Sequence, residues 1–548
     1  MKKIKTITAL LFIITHSHSQ NWQWVKNGGG SGKDKVTSIC TDVSGHLYMG
    51  GGANGANCIF DTINLNCFNP TMILAKYNPN GNIVWLKKAN GTTITTPFGS
   101  LNAAGANKIA IDNNGYIYVA GGFTGNGTFD STTITAFGNT DAFLAKYDNN
   151  GTLIWVKNFG GNGTDNVSGL SVDNVGNCYV SGETLAGNAY FPGGVTLTAP
   201  NSYFRGFIAK FNTNGLCTWA KRTTTVSYTS GVSYNDNNVY WIGGYNSIFN
   251  YDTTTLTEND SIKSAYFYAQ LDTAGNIVWI HQELGKNMNF ESVSNVNGSV
   301  YVTGYYQGST SIGGITLTAA SQDAFLFKVN DSGNFKWVTN LQASTFSGAH
   351  DVKANVTGDV YICGEFAGLA MFGSFSVSAS ASFSAFAAKY DSNGNCIGMG
   401  QGTFANGSAI TADGNDNCYL GGSFYNTANF DNFSLTSYGD EDMFIAKATT
   451  ITGIGGVERH ANNQLIIYAN PTAGKCNMTV PDDFLNEKNL SLSIYANDGK
   501  LIQQKNVQTS PLEGQGAIKL NLEAEARGVY NVTLSNGVKS YSGKIVFE

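Results

Sequence analysis

The stretch AFLAKYDNNGTLIWVKNFGGNGTDNVSGLSVDNVGNCYVSG, residues 142–182, decides the fold because it holds four short strand patterns in a row. The first strand ends near Lys146, the second is centred on Trp155, the third leads into Asp173 and the fourth carries Tyr179. Clusters of Asn, Asp and Gly separate the strands, and Gly151 supplies the positive φ that a tight hairpin turn needs. The stretch therefore predicts one four-stranded antiparallel sheet.

The landmarks of this stretch recur along the chain with a period of about 60 residues. A Tyr strand followed by Gly occurs seven times, at Tyr48, Tyr118, Tyr179, Tyr240, Tyr301, Tyr361 and Tyr419. A Trp strand occurs six times, at Trp24, Trp85, Trp155, Trp219, Trp279 and Trp337. The strand before the turn ends in Lys in six copies, at Lys76, Lys146, Lys210, Lys328, Lys389 and Lys447.

Seven copies of four short strands predict an all-β fold, a seven-bladed β-propeller over residues 20–447. A lone Trp strand at 21–26 precedes the first full copy, and the last copy ends at Lys447 without a Trp strand. We therefore expect the N-terminal strand to complete the last blade and to close the ring without a covalent bond.

This region closely resembles the bacterial β-propeller repeat family called SBBP, with residues 142–182 matching its pattern almost element by element. The resemblance covers about residues 21–447. Three features depart from the pattern: the Trp lost near Gly398, Gln270 in place of Lys, and an insertion around Cys58 and Cys67. Repeats of this family resemble binding or scaffold modules, and the resemblance implies no catalytic activity.

Composition and motifs exclude several classes of function. The 548 residues include 32 Lys and Arg and 38 Asp and Glu, a net charge of −6, so a nucleic-acid partner is not expected. No GxSxG, HExxH, P-loop or Rossmann motif is present, so no catalytic residue is predicted. His46, His281, His350 and His460 lie far apart in sequence, and neither a metal nor a cofactor is predicted.

Residues 1–19 have the pattern of a secretory signal peptide. Lys2, Lys3 and Lys5 form a basic segment, and the apolar run from Ile7 to Ile14 is too short to span a bilayer. Small residues before Gln20 predict cleavage between Ser19 and Gln20. No later segment is apolar enough to predict a transmembrane helix.

The repeat stops after Lys447, and residues 448–461 are predicted to be a linker. Residues 462–548 hold alternating strand patterns of a different spacing, which predicts a small immunoglobulin-like β-sandwich. This segment resembles the type A C-terminal sorting domain of the type IX secretion system of Bacteroidetes. The matching motif residues are Asn470, Pro471, Asp498, Gly499, Lys500, Gly528, Tyr530 and Lys544.

The sorting-domain resemblance implies a route and partners. The chain would cross the inner membrane by its signal peptide, and then the outer membrane through the type IX machinery. The family's domain is commonly cleaved, and its cargo is released or attached to surface lipopolysaccharide. A secreted or cell-surface location follows from the resemblance. The alternative is that residues 462–548 are an ordinary structural immunoglobulin-like domain.

A residue found in every blade is expected to serve the blade. The repeated Tyr and Trp are predicted to pack between sheets, and the repeated Lys to extend over apolar neighbours. Acidic residues at strand entries are predicted to cap turns and strand ends rather than to act as a catalytic pair. They are Asp34, Asp141, Asp165, Glu291, Asp323, Asp351 and Asp442.

Function is then expected on features that do not repeat. The candidates are the insertion Ala53–Pro70, the loop 90–107, the aromatic run Tyr245, Phe249 and Tyr251, and the pair Tyr305 and Tyr306, with variable surface loops as the alternative. Cys58 and Cys67 bracket a loop and are the best disulfide candidate among nine cysteines.

The leading hypothesis is a non-catalytic surface propeller that binds a glycan or a protein. A polysaccharide lyase or hydrolase with its site at one mouth of the channel is the first alternative, and a structural adhesion protein is the second. Acidic, His or Tyr residues unique to single blades and converging on one mouth would favour the enzyme.

Overall fold

The computed structural model describes two compact units, divided between Gly455 and Gly456. In the first unit it describes residues 22–91, 104–185, 187–198, 203–258, 264–285, 287–373, 375–379 and 382–449. In the second it describes residues 465, 467–468, 472, 474–479, 484, 490–496, 500–507, 517–536 and 540–547. The predicted signal peptide with Ser19 and Gln20, most of the predicted linker, and Asn470, Pro471, Asp498 and Gly499 lie outside the described residues.

The described elements of the first unit are all β-strands, as the alternation of apolar and polar residues predicts. In chain order they are β1 (Trp22–Gly29), β2 (Lys35–Thr41), β3 (Leu47–Phe60), β4 (Ile63–Tyr77), β5 (Ile83–Asn90), β6 (Ala104–Ile111), β7 (Ile117–Phe123), β8 (Asn126–Phe129), β9 (Thr132–Thr135), β10 (Asp141–Tyr147), β11 (Leu153–Gly161), β12 (Asp165–Val172), β13 (Cys178–Leu185), β14 (Ala189–Phe191), β15 (Val195–Leu197), β16 (Phe204–Phe211), β17 (Cys217–Arg222), β18 (Ser227–Asn235), β19 (Asn238–Tyr245), β20 (Ile248–Tyr251), β21 (Thr254–Thr257), β22 (Ser264–Leu271), β23 (Ile277–Gly285), β24 (Asn289–Val296), β25 (Ser299–Ile312), β26 (Ile315–Asn330), β27 (Phe335–Ala343), β28 (Phe346–Ala354), β29 (Val360–Ala367), β30 (Leu369–Phe372), β31 (Phe375–Ser378), β32 (Ser384–Tyr390), β33 (Cys396–Ala412), β34 (Asn417–Phe430) and β35 (Phe433–Thr449).

Antiparallel pairing groups these strands into seven sets of four. They are sheet 1 (β2-β3-β4-β5), sheet 2 (β6-β7-β10-β11), sheet 3 (β12-β13-β16-β17), sheet 4 (β18-β19-β22-β23), sheet 5 (β24-β25-β26-β27), sheet 6 (β28-β29-β32-β33) and sheet 7 (β33-β34-β35-β1). The long strand β33 serves sheet 6 with its first half and sheet 7 with its second half.

The N-terminal strand completes sheet 7. Residues from Trp24 to Gly28 in β1 pair with Lys447 to Met443 in β35, so the two ends of the repeat region share one sheet. The first strand of each sheet packs beside the first strand of the next, and β33 packs beside β2.

Each repeat also has an additional hairpin that the four-strand pattern did not predict. The hairpin extends from the connection between the second and third strands, as in β8 with β9 or β30 with β31. Except for β20–β21, the hairpin pairs with the outermost strand of the preceding sheet, for example Ala89 in β5 with Phe129 in β8. These segments were missed because their strands are short, and most of them join a sheet to its neighbour.

The second unit contains two sheets around one core. One sheet holds β36 (Ile467–Tyr468), β37 (Lys475–Thr479) and β40 (Ala517–Asn521), and the other holds β38 (Leu490–Ala496), β39 (Leu501–Val507), β41 (Gly528–Ser535) and β42 (Ser540–Phe547). Side chains from both sheets, among them Met478 and Val532, fill the core between them.

Candidate functional site

The repeated residues lie at the end of the sheets where the tight turns are, and they form a common framework. In sheet 2 the hydroxyl of Tyr118 donates a hydrogen bond of 3.1 Å to Asp112, and the ammonium of Lys146 lies 5.1 Å from the centre of the Tyr118 ring. Trp155 donates a hydrogen bond of 3.1 Å to the carbonyl of Thr213 in sheet 3. Most sheets have versions of these contacts, although Gln270 replaces the Lys in sheet 4 and Gly398 replaces the Trp in sheet 6, so the framework holds the sheets together and differs little between them.

All seven repeated Tyr side chains are buried. Burial is the main reason that the pKa of Tyr118 is well above its ordinary value, with the nearby Cys178 and Asp112 adding to it. The Trp side chains lie against the turn of the next sheet, with Trp24 buried and the others half-buried. These rings are packed into the framework.

The opposite end of the first strands carries a β-bulge in every sheet. The extra residue interrupts the pairing of the first strand with the second, and side chains at bulges are re-aimed relative to the regular ladder. We call these seven residues the bulge ring: Thr37, Asn107, Ser168, Ser230, Glu291, His350 and Ser408. All seven are polar and half-buried; four carry a hydroxyl group, and the other three are Asn107, Glu291 and His350.

A polar cavity of about 120 Å³ lies between the first strands next to the bulge ring. Its lining includes Ser168 and Ser230 of the bulge ring, Ser292 and Asp351, and the side chain of Lys108. Asp351 accepts hydrogen bonds from Ser292 at 2.7 Å and from the backbone of Ile410 at 3.0 Å, so it links three sheets. The cavity therefore has a fixed, hydrogen-bonded wall.

A second set of varied residues lies beyond the bulge ring, near the end of the second strand of each sheet. This position is Gly in sheets 1, 2 and 4, but it is Glu183, Tyr305 and Glu365 in sheets 3, 5 and 6. Glu183 accepts a hydrogen bond of 2.7 Å from the backbone of Thr229, and burial raises the pKa of Glu183 to about 7. We call this end of the sheets, with the bulge ring and these three residues, the mouth.

Two carboxyl groups interact with one imidazole at the mouth. His350 Nε2 lies 3.5 Å from Glu365 Oε1, and the two side chains are 30% and 27% exposed. Burial acts to raise the pKa of Glu365, but the hydrogen bond and charge of His350, with the charge of Lys35, outweigh it and lower that pKa. Burial raises the pKa of Glu291, and the charges of His350, Lys108 and Lys35 offset this only in part.

Tyrosines border this pair of carboxyl groups. Tyr305 is half-buried, and burial followed by the charge of Glu291 raises its pKa. Tyr228 lies over Gly244 and contacts Tyr266, with ring centres 6.0 Å apart. The mouth thus combines aromatic faces with carboxyl, imidazole and amide groups from several sheets.

The other aromatic candidates belong to the core. Tyr245, Phe249, Tyr251 and Tyr306 are at most 1% exposed, so the prediction that they form a surface site is wrong. They were singled out because sequence variation does not distinguish a hairpin core from a surface. Tyr305 alone of these candidates lies at the mouth, while Glu183 and Glu365 were missed.

The acidic residues predicted as caps are of two kinds. Asp141 and Asp442 accept backbone hydrogen bonds from the residues four before them, at 2.7 and 2.5 Å. Asp34, Asp165, Asp323 and Asp351 also accept backbone hydrogen bonds. Glu291 differs, because its recorded partner is the side chain of Asn289.

The insertion Ala53–Pro70 forms the extended part of the β3–β4 hairpin. Cys58 and Cys67 are both buried in it as free thiols. A hydrogen bond between the two thiols is the main reason that the pKa of Cys58 is raised and that of Cys67 lowered. The two side chains are therefore in contact, and their oxidation stays a prediction. Of the loop 90–107, residues 92–103 lie outside the described residues.

The described motif residues of the second unit are part of its strands. Tyr530 is buried and its hydroxyl donates a hydrogen bond to the carbonyl of Ala526. Gly528 begins β41 with a φ of +155°, and Lys544 is exposed in β42. The carbonyl of Lys500 closes the β38–β39 turn by accepting a 2.9 Å hydrogen bond from Ala496.

The described residues show neither a membrane-spanning helix nor a metal-binding group. They contain no helix that is both long and apolar enough to cross a membrane. In the same part of the chain, no group of three or more His, Cys, Asp or Glu side chains is arranged to hold a metal ion.

Comparison with known families identifies both parts of the chain. Residues 466–548 match the family model described as a secretion system C-terminal sorting domain, and residues 154–188 match the SBBP beta-propeller repeat. The sorting domain indicates export by the type IX secretion system, to the cell surface or the extracellular space, and implies contact with that machinery. No curated protein matches the chain.

Solved structures add no argument. The crystal structure of dimeric latent PorU from Porphyromonas gingivalis aligns with 8% identity and a TM-score of 0.14, over 70% of this chain and 32% of that one. The N-terminal eight immunoglobulin domains of Down Syndrome Cell Adhesion Molecule align with 9% identity and a TM-score of 0.08, over 95% and 86% of the two chains.

Proposed function

We propose that this chain, an SBBP-repeat protein with a C-terminal sorting domain of the type IX secretion system, is an exported seven-bladed β-propeller that binds a carbohydrate at its mouth. The observation that carries the proposal is the contrast between the two ends of the sheets. The framework end repeats the same residues in most sheets, whereas the bulge ring at the mouth combines four hydroxyl side chains with Asn107, Glu291 and His350 at one shared backbone position.

Seven blades are supported by the pairing of the strands. Seven four-stranded sheets succeed one another, the first strand of each lies beside the first strand of the next, and β33 of sheet 7 lies beside β2 of sheet 1. Radial repetition of this kind is how propellers protect their sheet edges. The two sheets of the second unit, with the hydrogen bond from Tyr530 to Ala526, support an immunoglobulin-like sandwich.

The residues of the mouth suit a carbohydrate. Sugar rings offer many hydroxyl groups, each a donor and an acceptor, and a flat apolar face that packs on an aromatic ring. Tyr228 and Tyr305 supply aromatic faces, while Glu365, His350 and Asn107 supply acceptors and donors.

The route to the surface supports an extracellular ligand. The predicted signal peptide, with cleavage between Ser19 and Gln20, would deliver the chain to the periplasm, and the sorting domain would take it across the outer membrane. Surface lipopolysaccharide or an extracellular protein are the other partners that this location allows.

Binding is tested with the mature chain, residues 20–548, and four soluble polysaccharides: laminarin, xylan, polygalacturonate and chitosan. Retardation of the protein in gels that contain each polymer measures affinity. We expect retardation by at least one polymer and a loss of about fivefold in affinity for Tyr305→Ala. The control is Tyr190→Ala, which removes a tyrosine 45% exposed in the hairpin β14–β15, where it pairs with Gly160 in the outermost strand of sheet 2. Retardation by none of the four, or equal effects of the two variants, would contradict the proposal.

A further inference from the structure

Lys108 brings to the polar cavity a positive charge that the repeat does not explain. It follows the bulge of β6 and lines the cavity together with residues of the other six first strands. Within the described part of the chain, its ammonium has no hydrogen-bond acceptor and no ion-pair partner, although its charge acts on Glu291 at the mouth. A half-buried cation without a partner in the protein can bind an anion from solvent. The equivalent residues of the other sheets are Ser38, Gly169, Gly231, Ser292, Asp351 and Ala409.

Three serine hydroxyl groups of the lining are available as donors. Ser38, Ser171 and Ser294 each accept a hydrogen bond from a backbone N–H of the next sheet, at 3.1, 2.9 and 3.0 Å. Because the hydroxyl oxygen serves as the acceptor in these bonds, the proton of each hydroxyl is left to donate to a ligand. The three serines belong to sheets 1, 3 and 5, so these donors line the cavity on different sides.

The carboxylate of the lining is already occupied by donors of the protein. Asp351 accepts a hydrogen bond of 2.7 Å from Ser292. The backbones of Val352 and Ile410 donate two further bonds of 3.0 Å to it. The exposed Lys353, two residues further along β28, is a second lysine of the lining. The cavity therefore offers donors and positive charge, which is the chemistry of an oxyanion site.

The cavity has room for one small acidic group beside sheets 3 and 4. Gly169 and Gly231 stand there at the position of Lys108, and four consecutive residues of each strand line the cavity, Ser168–Ser171 and Ser230–Ser233. A volume of about 120 Å³ holds several water molecules, or one carboxylate, sulfate or phosphate group with part of a sugar ring. An oligosaccharide is too large to enter, so the rest of a longer ligand would stay at the mouth.

We propose that the cavity binds an oxyanion on Lys108, with the three serine hydroxyls as further donors, and that the carbohydrate of the mouth is therefore an acidic one. This inference rests on the function proposed above. A uronate carboxylate, a sulfate ester or a phosphate ester would accept hydrogen bonds from the ammonium and hydroxyl groups, while the sugar rings stay at the mouth with Tyr228 and Tyr305. A free inorganic anion has the same chemistry, and two measurements distinguish these sources.

The first measurement is retardation of the mature chain, residues 20–548, in gels that contain polygalacturonate, laminarin, xylan or chitosan at one ionic strength. We expect retardation by polygalacturonate. Lys108→Met keeps the aliphatic stem but removes the charged donor, so its affinity should fall at least about tenfold. Lys35→Met is the matched control, because Lys35 is exposed and carries the same charge near Glu365 but does not line the cavity. Its affinity should fall less than about threefold.

The second measurement is thermal unfolding in sodium sulfate, a free oxyanion, with sodium chloride at the same ionic strength as the reference. A ligand that binds only the folded chain raises the midpoint, whereas exclusion of sulfate from protein surfaces raises it in every variant. The rise caused by sulfate should therefore be at least about 1 °C larger in the wild type and in Lys35→Met than in Lys108→Met. Cooperative unfolding in chloride also shows that each variant is folded.

The outcomes separate this inference from the binding function. Retardation by polygalacturonate that depends on Lys108 identifies the acidic carbohydrate as the ligand. A Lys108-dependent effect of sulfate without retardation by any polymer would identify a free anion and contradict the carbohydrate function. Retardation by laminarin, xylan or chitosan but not by polygalacturonate would overturn the oxyanion site and leave carbohydrate binding standing, and this comparison needs no variant. Equal losses for Lys108→Met and Lys35→Met would also overturn the site. No effect in either measurement would contradict both proposals.

Discussion

The indole of Trp337 donates a hydrogen bond of 3.1 Å to the carbonyl of Ser392, which lies in the turn of the next sheet. Gly394 of that turn also packs on the indole, where a Cβ would lie 2.9 Å from the ring. The same bond runs from Trp85 to Asn149 and from Trp279 to Asp331. The repeated Trp thus joins each sheet except sheet 6 to the next sheet, and we call this contact the clasp.

Replacing Trp337 by Phe should therefore destabilise the first unit. The variant keeps an aromatic ring but loses the donor, and a neutral hydrogen bond contributes about 1 kcal/mol. We expect a lower midpoint in guanidinium unfolding of the mature chain, corresponding to a loss of about 1–2 kcal/mol. Val278→Ala, at a position 59% exposed on β23, is the control and should leave the midpoint unchanged. Equal midpoints for Trp337→Phe and the wild type would show that the clasp is not needed.

The clasp explains the missing Trp that the sequence alone left as an irregularity. Gly398 pairs with Lys389 as Trp337 pairs with Lys328, so Gly398 holds the Trp position of sheet 6. The next sheet, sheet 7, takes its third strand from β35 and its fourth from β1, so no turn joins them. A Trp at 398 would have no turn to contact. The sequence pattern predicted that the N-terminal strand completes the last sheet. The missing Trp at position 398 is a consequence of that arrangement.

The lysine at the same junction has a different partner. Lys328 donates to the carbonyl of Ser392 in the next turn, whereas Lys389, which has no such turn, pairs with Asp359 at 2.8 Å and Asp416 at 2.5 Å. The sequence could not predict these ion pairs, because both aspartates belong to turns that resemble all the others. Their proximity depends on how sheets 6 and 7 pack.

Lys389→Met should cost more stability than Lys328→Met. The first variant leaves two half-buried carboxylates without their cation, and breaking a buried ion pair costs several kcal/mol, less when the groups are partly exposed. In urea-induced unfolding, Lys389→Met should lower the free energy of unfolding by about 2 kcal/mol more than Lys328→Met does. The excess should shrink in 1 M NaCl because salt screens charges that are partly exposed. Equal losses for the two variants would mean that the ion pairs contribute nothing.

Two glycines with the same backbone conformation allow the cost of backbone strain to be separated from the cost of lost packing on Trp. Gly151 has a φ of +78° and Gly115 a φ of +79°, so alanine is strained at both. A Cβ at 151 would lie 3.0 Å from Trp85, whereas a Cβ at 115 would meet no atom within 4 Å. Gly115→Ala should therefore cost about 1 kcal/mol, and Gly151→Ala that amount plus about 1–2 kcal/mol for displacing the indole. Urea unfolding compares the two, and equal costs would contradict the packing of turn glycine on Trp.

The sequence predicted the framework well and the mouth poorly, for a physical reason. Framework residues repeat because every sheet needs the same contacts, so period alone finds them. His350 occurs once at its position, Glu183 and Glu365 share a position that is Gly in sheets 1, 2 and 4, and in sequence all three look like ordinary strand residues. Comparing equivalent positions across the seven copies was the signal that could have found them. The same comparison could have shown the burial of Tyr245, because Phe123 holds the equivalent position in sheet 2 and is also buried.

Cys58 and Cys67 should form a disulfide in the exported chain. Their thiols are already in contact within the β3–β4 hairpin, and the route outside the cytoplasm is oxidising. Closing so short a loop should stabilise the chain by about 2–3 kcal/mol. Mass spectrometry of peptides from the unreduced, alkylated protein should find the two cysteines joined and the remaining cysteines alkylated. Alkylation of both Cys58 and Cys67 without reductant would rule the disulfide out.

Asp165 should make the stability of the first unit fall as the pH rises. Burial raises its pKa from 3.8 to about 7, with the nearby Asp141 adding to the effect and the backbone of Gly161 opposing it. The folded chain therefore binds a proton more tightly than the unfolded chain. The resulting stabilisation is complete below about pH 4 and is lost as the pH rises through about 7. Asp34, Asp141 and Asp442, with pKa values of about 6, 6 and 7 raised mainly by burial, act in the same direction.

Asp165→Asn isolates the contribution of this one group. The amide oxygen of Asn can still accept the 2.6 Å hydrogen bond from the backbone of Gly161, but the side chain is neutral at every pH. The difference between the urea midpoints at pH 5 and pH 8 should therefore be smaller in Asp165→Asn than in the wild type. The exposed Asp440→Asn is the control and should keep the wild-type difference. If Asp165→Asn and the wild type lost stability equally between these pH values, Asp165 would already be ionised in the folded chain at pH 5. Its buried carboxylate would then need a compensating positive charge, and Arg222, whose charge lowers the pKa of Asp165, could supply it.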